Sequence, residues 1–188
     1  MKNLEIEYKI LLTEEKFKDI ISQYPMHIYT QINYYFTSKE LSSKKYALRI
    51  RKKENTYEMT LKTPASIGRH EYNISLTQED AADYLKGIWK ENPITQRLIR
   101  EGFSLKEIHL FSSLKTIRHD YLMTYGVLSL DKNYYENKID YELEFEINDI
   151  EKGKKQFKEL LKKHHLHYNH NCPSKLKRII NAKVLTEK

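Results

Sequence analysis

Residues 140–148 have the sequence DYELEFEIN, in which acidic and apolar side chains alternate. Successive side chains of a β-strand point to opposite faces, so this alternation predicts a strand with two chemically different faces. The apolar face comprises Tyr141, Leu143, Phe145 and Ile147, and the acidic face comprises Glu142, Glu144 and Glu146. Three neighbouring carboxylates repel one another, so a face that is only exposed to water gains nothing from this segregation.

Four other segments alternate in the same way. Their polar faces carry Glu5, Glu7 and Lys9; Arg49 and Arg51; Glu58, Thr60 and Lys62; and Glu71, Asn73 and Ser75. One interpretation is a sheet with one solvated face and one packed face. The other is a barrel with a charged interior and helices packed on its apolar outside, which the sorting of acids and bases onto different strands favours. Such an interior must hold water or ions, because charges are not buried unpaired.

The rest of the chain extends this pattern. Alternation and the β-branched and aromatic residues predict eight strands, at residues 4–12, 26–36, 46–53, 56–63, 69–76, 109–124, 127–135 and 140–148. Helical spacing and capping residues predict helices at residues 14–24, 77–86, 93–100, 151–164 and 174–182. The sequence has no Gly/Ser-rich or Pro-rich linker. We therefore predict a single α+β domain over residues 1–188, built on an eight-stranded antiparallel β-barrel.

The composition limits the class of protein. Hydrophobic residues make up 39% of the 188 residues, and no stretch approaches the ~20 apolar residues of a membrane span. Residues 1–9 lack the apolar segment of a secretory signal, and the single cysteine, Cys172, excludes an internal disulfide. These features predict a cytoplasmic protein without a membrane partner. The net charge of +7 indicates an anionic partner, without distinguishing among nucleic acid, a membrane surface and a phosphorylated small molecule.

The charged faces suit one kind of ligand. Carboxylates are hard oxygen donors, and Mg²⁺ in proteins is commonly shared between a few carboxylates and substrate phosphates. Arg49 and Arg51 can contact phosphate oxygens in bidentate fashion, and Lys62 adds a point charge. Together they predict a polyphosphate bound with divalent metal ions. The 15 tyrosines fall mostly on apolar faces, which favours core packing over the stacking of nucleic-acid bases.

The same residues occur in an order that resembles the CYTH domain family, also called triphosphate tunnel metalloenzymes. The strand at residues 5–9 has the pattern ExExK, residues 47–51 are ALRIR and residues 60–62 are TLK. Glu71, Arg118, Asp131 and the ELE of residues 142–144 follow in the family's order, and Ser174 and Lys175 resemble its end. The small bacterial members, often named after adenylate cyclase, are the most similar. One departure is Thr37, where the family often has aspartate.

The resemblance implies a metal-dependent tunnel acting on triphosphates, with Mg²⁺ or Mn²⁺ as cofactor. The implied metal ligands are Glu5, Glu7, Glu142 and Glu144. The implied catalytic residues are Lys9, Glu71 and Asp131, of which the two acids complete or support the metal shell. The implied phosphate-binding residues are Arg49, Arg51, Lys62, Arg118, Lys175 and Arg178. No nucleophilic triad is required, since phosphoryl transfer needs mainly positioning and charge neutralisation.

Several functions remain open at this point. The leading hypothesis is a hydrolase of inorganic triphosphate, thiamine triphosphate or a nucleoside triphosphate, so the expected partner is a small molecule and not a nucleic acid. An adenylate cyclase of the class IV type would use the same residues. The third is a non-catalytic module that binds polyphosphate or a triphosphate-capped nucleic acid, although pure polyanion capture would favour cations alone. A zinc site built from His164, His165, His167 and His170 near Cys172 has no regular ligand spacing.

Overall fold

The computed structural model of the chain describes residues 2–186, and the side chains of residues 3–184. The strands are β1 (Lys2–Glu5), β2 (Glu7–Leu12), β3 (His27–Thr37), β4 (Ala47–Lys53), β5 (Thr56–Pro64), β6 (Arg69–Leu76), β7 (His109–Met123), β8 (Gly126–Tyr135) and β9 (Lys138–Ile147). The helices are α1 (Glu14–Ile21), α2 (Lys39–Ser43), α3 (Gln78–Leu85), α4 (Pro93–Arg100), α5 (Ile150–Lys163) and α6 (Lys175–Thr186), with a 3-10 turn at Leu105–Glu107. Among these helices, none has the length and apolar character needed to cross a membrane.

The predicted elements are confirmed, with differences that include an additional strand, the short helix α2 and the 3-10 turn at Leu105–Glu107. The described residues contain nine strands instead of eight, because the predicted first strand is interrupted at Ile6 and divides into β1 and β2. The short helix α2 was not predicted; it begins after Ser38, whose hydroxyl accepts a hydrogen bond from the Leu41 amide at 3.1 Å. The predicted cap of α1 is confirmed, since the Thr13 hydroxyl accepts from the Lys16 amide at 3.2 Å.

The described chain divides into two compact units. The first unit contains the N-terminal residues through Leu4 and Gln31–Leu114. Its strands are hydrogen-bonded in the order β1-β6-β5-β4-β3, with antiparallel pairing between β3, β4, β5 and β6. One face of this sheet carries Leu48, Ile50 and Met59, which pack with residues of α3 and α4 into a buried apolar cluster. The opposite face therefore carries the predicted charged residues of β4 to β6.

The second unit contains Glu5–Thr30 and the chain from Lys115 onward. Its strands are ordered β7-β8-β9-β2 and pair in antiparallel fashion. Leu143 and Phe145 of β9 are fully buried, and they pack in one apolar cluster with Phe17 of α1 and Phe157 of α5. The helices thus cover the apolar face of β9, as the alternation predicted.

The acidic face of β9 is not exposed to water along most of its length. Glu142 has no exposed surface, the Glu144 side chain is 14% exposed, and only Glu146 is exposed. The interpretation of a merely solvated face is therefore wrong for this strand. Buried carboxylates require compensating partners, and those partners define the candidate site.

Candidate functional site

Three carboxylates meet in the second unit. Asp131 of β8 lies directly opposite Glu142 of β9 in the strand register, so their side chains share a face. Glu144 lies two residues further along β9 on that same face. Each of the three residues offers a carboxylate oxygen within 4.8 Å of the others. Among the described residues, no other group of three His, Cys, Asp or Glu ligand atoms is this close.

Lys175 inserts its ammonium into this acidic cluster from the first position of α6. Its Nζ atom lies 2.5 Å from Glu142, 2.7 Å from Glu144 and 2.9 Å from Asp131. Lys175 is itself 9% exposed. A single buried ammonium therefore contacts all three carboxylates, and the centre of the cluster is demonstrably a position for a cation.

Two arginines flank the cluster. Arg118 of β7 faces Asp131 in the register and binds it in bidentate fashion, with Nε and Nη2 donating at 2.8 and 2.6 Å. The same Nη2 also donates to Glu144. Arg178 lies one helical turn after Lys175 on α6, and its Nη2 donates to Glu142 at 2.9 Å. Arg118 and Arg178, which were predicted to bind phosphate, therefore form hydrogen bonds with the predicted acidic residues.

Asp140 was missed by the sequence analysis as a member of this site. Its carboxylate lies 2.9 Å from Nε of Arg178 and accepts a hydrogen bond from the Tyr135 hydroxyl at 2.6 Å. Burial and the neighbouring Asp140 carboxylate raise the pKa of Tyr135 to about 12, so the phenol stays a donor. The alternation in β9 contained the signal, because Asp140 precedes Glu142 by two residues and shares its face.

The N-terminal acids lie outside the close group of three. The carboxylate of Glu7 pairs with Lys9, whose Nζ lies 2.6 Å away, and Glu5 is buried at 8% exposure. Burial alone would lower the pKa of Lys9, but Glu7 and then Glu144 outweigh it and raise the pKa. The negative charge of the acidic cluster therefore contributes to the raised pKa of Lys9. The metal-ligand roles of Glu5 and Glu7 stay predictions.

Cys172 borders the cluster as a protonated thiol. Its Sγ atom lies 3.4 Å from Oε1 of Glu142. Burial, followed by the charge of Glu142, raises the pKa of the Cys172 thiol to about 12. A thiol is a nucleophile or zinc ligand only when it is deprotonated, so this cysteine is chemically inert near neutral pH.

The basic residues of the first unit lie on the polar face of its sheet. Arg49 and Arg51 of β4 are half-buried, and Nη2 of Arg49 lies 3.6 Å from Glu71. Lys62 of β5 lies directly opposite Glu71 of β6, with 3.9 Å between their charged atoms. Both contacts are long for ion pairs, and all three side chains are 14 to 17% exposed. Glu71 thus balances two cations without holding either one tightly.

Comparison with known proteins identifies the family. The CYTH domain profile matches residues 3–178. The chain belongs to the CYTH domain family. YjbK of Bacillus subtilis (strain 168), named as a "putative triphosphatase", is 35% identical over 165 residues, which cover 85% of this CYTH domain protein and 86% of YjbK.

Solved structures of similar proteins share the fold. A Bacillus halodurans protein described as a "putative adenylate cyclase" is 31% identical, with a TM-score of 0.88 over 94% of this chain and 97% of that one. A Hippeastrum protein, described as a "putative adenylyl cyclase" with a dominant triphosphatase activity, has a TM-score of 0.80 at 22% identity, covering 95% and 96% of the chains. The predicted α+β fold, an antiparallel CYTH β-barrel with outer helices, is confirmed.

The buried charges of this CYTH domain perturb one another strongly. Burial alone would lower the pKa of Lys175, but the three carboxylates around it hold the pKa well above its usual value. Burial alone would raise the pKa of Glu144, but Lys175 and then Arg118 hold that pKa well below its usual 4.5. The pKa of Asp131 is also lowered, by Arg118 and Lys175 against the effect of burial. Asp131 and Glu144 therefore remain ionised at neutral pH.

These shifts predict how stability depends on pH. A carboxyl with a lower pKa in the folded than in the unfolded chain stabilises the fold above its unfolded pKa, and this contribution disappears as pH falls through the folded pKa. We therefore expect the free energy of unfolding to fall steadily below the usual Glu144 pKa of 4.5. Urea titrations between about pH 6 and about pH 3 measure it.

A pair of glutamine variants provides the control for this pH experiment. Glu144→Gln should lose less stability than the parent over the same acidic range, because it lacks one of the shifted carboxyls. Glu146→Gln, at an exposed position of the same strand, should follow the parent curve. Identical curves for all three proteins would show that the pKa of Glu144 is not depressed.

The acidic cluster fits a divalent cation. Asp131, Glu142 and Glu144 supply only carboxylate oxygens, which are the donors that Mg²⁺ and Mn²⁺ prefer. The ammonium of Lys175 already lies among those oxygens, at separations of 2.5 to 2.9 Å. CYTH triphosphate tunnel enzymes depend on divalent metals, and the donor set of this cluster suits such an ion.

Proposed function

We propose that this CYTH domain protein is a divalent-metal-dependent hydrolase of a triphosphate-containing small molecule. The observation that carries the proposal is the buried group of Asp131, Glu142 and Glu144, which is compensated by cations and built from hard oxygen donors. YjbK, at 35% identity, is named as a triphosphatase, which supports hydrolysis as the reaction.

The proposed roles divide between the two units. In the second unit, Asp131, Glu142 and Glu144 would hold the divalent ion, with Glu5 and Glu7 as further acidic ligands. An ion held there would supply Lewis-acid polarisation of the phosphoryl oxygens. In the first unit, Arg49, Arg51 and Lys62 would bind phosphate oxygens. The long contacts of Arg49 and Lys62 with Glu71 leave these two cations able to exchange partners.

Lys9, Arg118, Lys175 and Arg178 supply further cations in the second unit. Each has its cation within hydrogen-bonding distance of a carboxylate, so each can neutralise charge on an acid or on a substrate phosphate. Asp131 accepts both N–H donors of Arg118 and thereby fixes the plane of that guanidinium. We assign Asp131 as a metal ligand that also positions Arg118.

The second candidate reaction is cyclisation of ATP. The Bacillus halodurans protein, 31% identical, is described as a "putative adenylate cyclase", and a cyclase would use the same metal and phosphate residues. Cyclisation additionally requires recognition of adenine and activation of the ribose hydroxyl. Hydrolysis requires neither, so the residues of the site support it more directly.

A panel of substrates tests the two reactions. Purified protein is incubated with Mg²⁺ or Mn²⁺ and with inorganic triphosphate, thiamine triphosphate or ATP, and the products are separated. We expect orthophosphate release that requires the metal. Cyclic AMP with pyrophosphate would establish the cyclase instead, and binding without turnover under either metal would leave a polyphosphate-binding module.

Lys175 provides a separate test of the metal assignment. Because its ammonium occupies the centre of the carboxylates, a divalent ion and Lys175 compete for the same oxygens. We expect Lys175→Met to bind Mn²⁺ more tightly by on the order of tenfold, about 1.4 kcal/mol, when measured by calorimetry without substrate.

The matched control for this experiment is Lys177→Met. Lys177 is an exposed lysine of the same helix, and its replacement changes the net charge equally. Its affinity for Mn²⁺ should match that of the parent. A Lys175→Met protein that binds Mn²⁺ no more tightly than the parent would show that the ion does not use these three carboxylates.

A further inference from the structure

Three hydrogen-bond donors on the polar face of the first unit lack partners. They are Nδ2 of Asn33, Nε of Arg49 and the hydroxyl of Thr60, each buried and without a hydrogen-bond partner among the described residues. Asn33 and Thr60 have no exposed surface. A buried polar group without a partner is costly, so such groups usually have a ligand or an ordered water.

The strand register places these donors next to one another. Thr60 of β5 lies directly opposite Arg49 of β4, and Asn33 of β3 lies directly opposite Arg51, two residues further along β4. Opposed residues have Cβ atoms roughly 5 Å apart, and residues two apart in a strand share a face. The donors therefore form one patch across three neighbouring strands, with two guanidinium groups inside it.

The orientation of Asn33 is fixed by Arg51. Nε of Arg51 donates to Oδ1 of Asn33 at 3.0 Å, so the amide oxygen is used and the NH₂ group is left as the unpaired atom. The Thr60 hydroxyl can rotate to donate. Gln31, opposite Lys53, leaves both its donor and its acceptor unpaired, and it therefore does not discriminate between ligands.

Nδ2 of Asn33, Nε of Arg49 and the Thr60 hydroxyl are donors that lie beside two guanidinium groups, and this combination suits a ligand that accepts hydrogen bonds. Phosphoryl oxygens have this property, and they also match the guanidinium groups of Arg49 and Arg51. We propose that Asn33 and Thr60 are substrate-binding residues that donate hydrogen bonds to a phosphoryl group held by Arg49 and Arg51. This inference deepens the proposed function and rests on it for the identity of the substrate.

A phosphoryl group can reach Asn33 and Thr60 if the Arg49 side chain moves, and the contacts of Arg49 allow that movement. Its separation of 3.6 Å from Glu71 is long for an ion pair, so little is lost when this guanidinium turns toward a phosphate. When Arg49 binds the phosphate, the hydroxyl of Thr60, which lies opposite Arg49, can donate to a phosphoryl oxygen. The neutral donors fix where the phosphoryl oxygens lie, while the arginines supply the attraction.

Two conservative substitutions test the inference. Asn33→Asp keeps an oxygen for Arg51 but replaces the NH₂ donor with a charged acceptor, and Thr60→Val removes the hydroxyl while keeping the shape. Affinity for inorganic triphosphate is measured by calorimetry on the full chain, with and without Mg²⁺. We expect the affinity to fall on the order of 100-fold for Asn33→Asp and on the order of tenfold for Thr60→Val. A hydrogen bond to a charged group contributes about ten- to 100-fold in affinity.

Stability and a control variant separate ligand binding from a structural role. Thr60→Val should leave the urea midpoint of the ligand-free protein unchanged or higher, because the hydroxyl has no partner to lose. Thr63→Val, a buried threonine on the opposite face of β5, should bind triphosphate like the parent.

The outcomes distinguish this inference from the proposed hydrolysis. Unchanged affinity in both Asn33→Asp and Thr60→Val, or no binding of triphosphate by the parent, overturns the inference. Weakened binding in both variants supports it even if the parent releases no phosphate, in which case only the proposed reaction fails. A Thr60→Val protein with a lower urea midpoint would assign the hydroxyl a structural role.

Discussion

Replacing Glu142 with glutamine is expected to reduce metal-dependent phosphate release about 1,000-fold, which corresponds to about 4 kcal/mol of transition-state stabilisation. Glu142 is fully buried and is one of the three carboxylates that approach within 4.8 Å. Glutamine has the same shape but no charge, so it is a poor ligand for a hard cation. The measurement is steady-state release of phosphate from inorganic triphosphate with Mg²⁺ or Mn²⁺.

The same substitution should also weaken metal binding. This second measurement distinguishes a direct metal ligand from a residue that affects activity only through the structure. Glu142→Gln should bind Mn²⁺ less tightly in calorimetry without substrate, since one anionic donor of the cluster is lost. Glu146→Gln removes the same charge from the same strand at an exposed position and should retain activity. A Glu142→Gln enzyme that turns over at the parent rate would refute the assignment of this cluster as the metal site.

The faces of the strands could be predicted from the sequence because alternation has a strict period of two. Glu142 and Glu144 were placed opposite the apolar residues of β9, and the structure confirms that arrangement. The same rule could have found Asp140, which lies two residues before Glu142. It was missed because the predicted strand began at Asp140 and only the glutamates were counted on its acidic face.

The pairing between elements could not be predicted in this way. Alternation says which residues share a face but not which strands are neighbours, so the register of Asp131 with Glu142 appears only in the structure. Helical spacing places Lys175 and Arg178 on one side of α6, but nothing local specifies that they reach Glu142. The ordered resemblance to the CYTH family supplied that missing information.

The interruption at Ile6 shows that alternation also does not predict where one strand ends and the next begins. Residues 4–10 alternate, which predicted one strand through residue 12, yet β1 and β2 lie at opposite ends of the strand order and in different units. A strand can change partners without changing its side-chain pattern, because alternation depends only on an extended backbone. The acids of this segment were therefore assigned as ligands by resemblance, and in the structure the carboxylate of Glu7 pairs with Lys9.

Replacing Arg118 with methionine is expected to destabilise the metal-free protein by about 3–5 kcal/mol. Arg118 makes two hydrogen bonds to Asp131, which is fully buried, and contacts Glu144 as well. Methionine fills much of the volume but carries no charge, so two buried carboxylates then share the single ammonium of Lys175. Urea unfolding at neutral pH with a chelator present measures the loss.

Adding a divalent ion should reverse part of this loss. A cation that binds only the folded protein stabilises it by mass action, and the uncompensated carboxylates of Arg118→Met attract it more strongly than those of the parent. We therefore expect Mg²⁺ or Mn²⁺ to raise the free energy of unfolding more in Arg118→Met than in the parent. An equal rise in both proteins would show that Arg118 does not oppose the metal at this cluster.

A double variant decides whether the buried charge is the cause. If Arg118→Met is unstable because Asp131 is left buried without its partner, then adding Asp131→Asn should restore much of the stability, since it removes the uncompensated charge. The same double variant should respond less to the metal, because one of its three carboxylate ligands is gone. If the double variant is less stable than Arg118→Met, the loss comes from packing around β7 and β8 and not from charge. The two readouts together therefore test the dual role proposed for Asp131, as the partner of Arg118 and as a ligand of the ion.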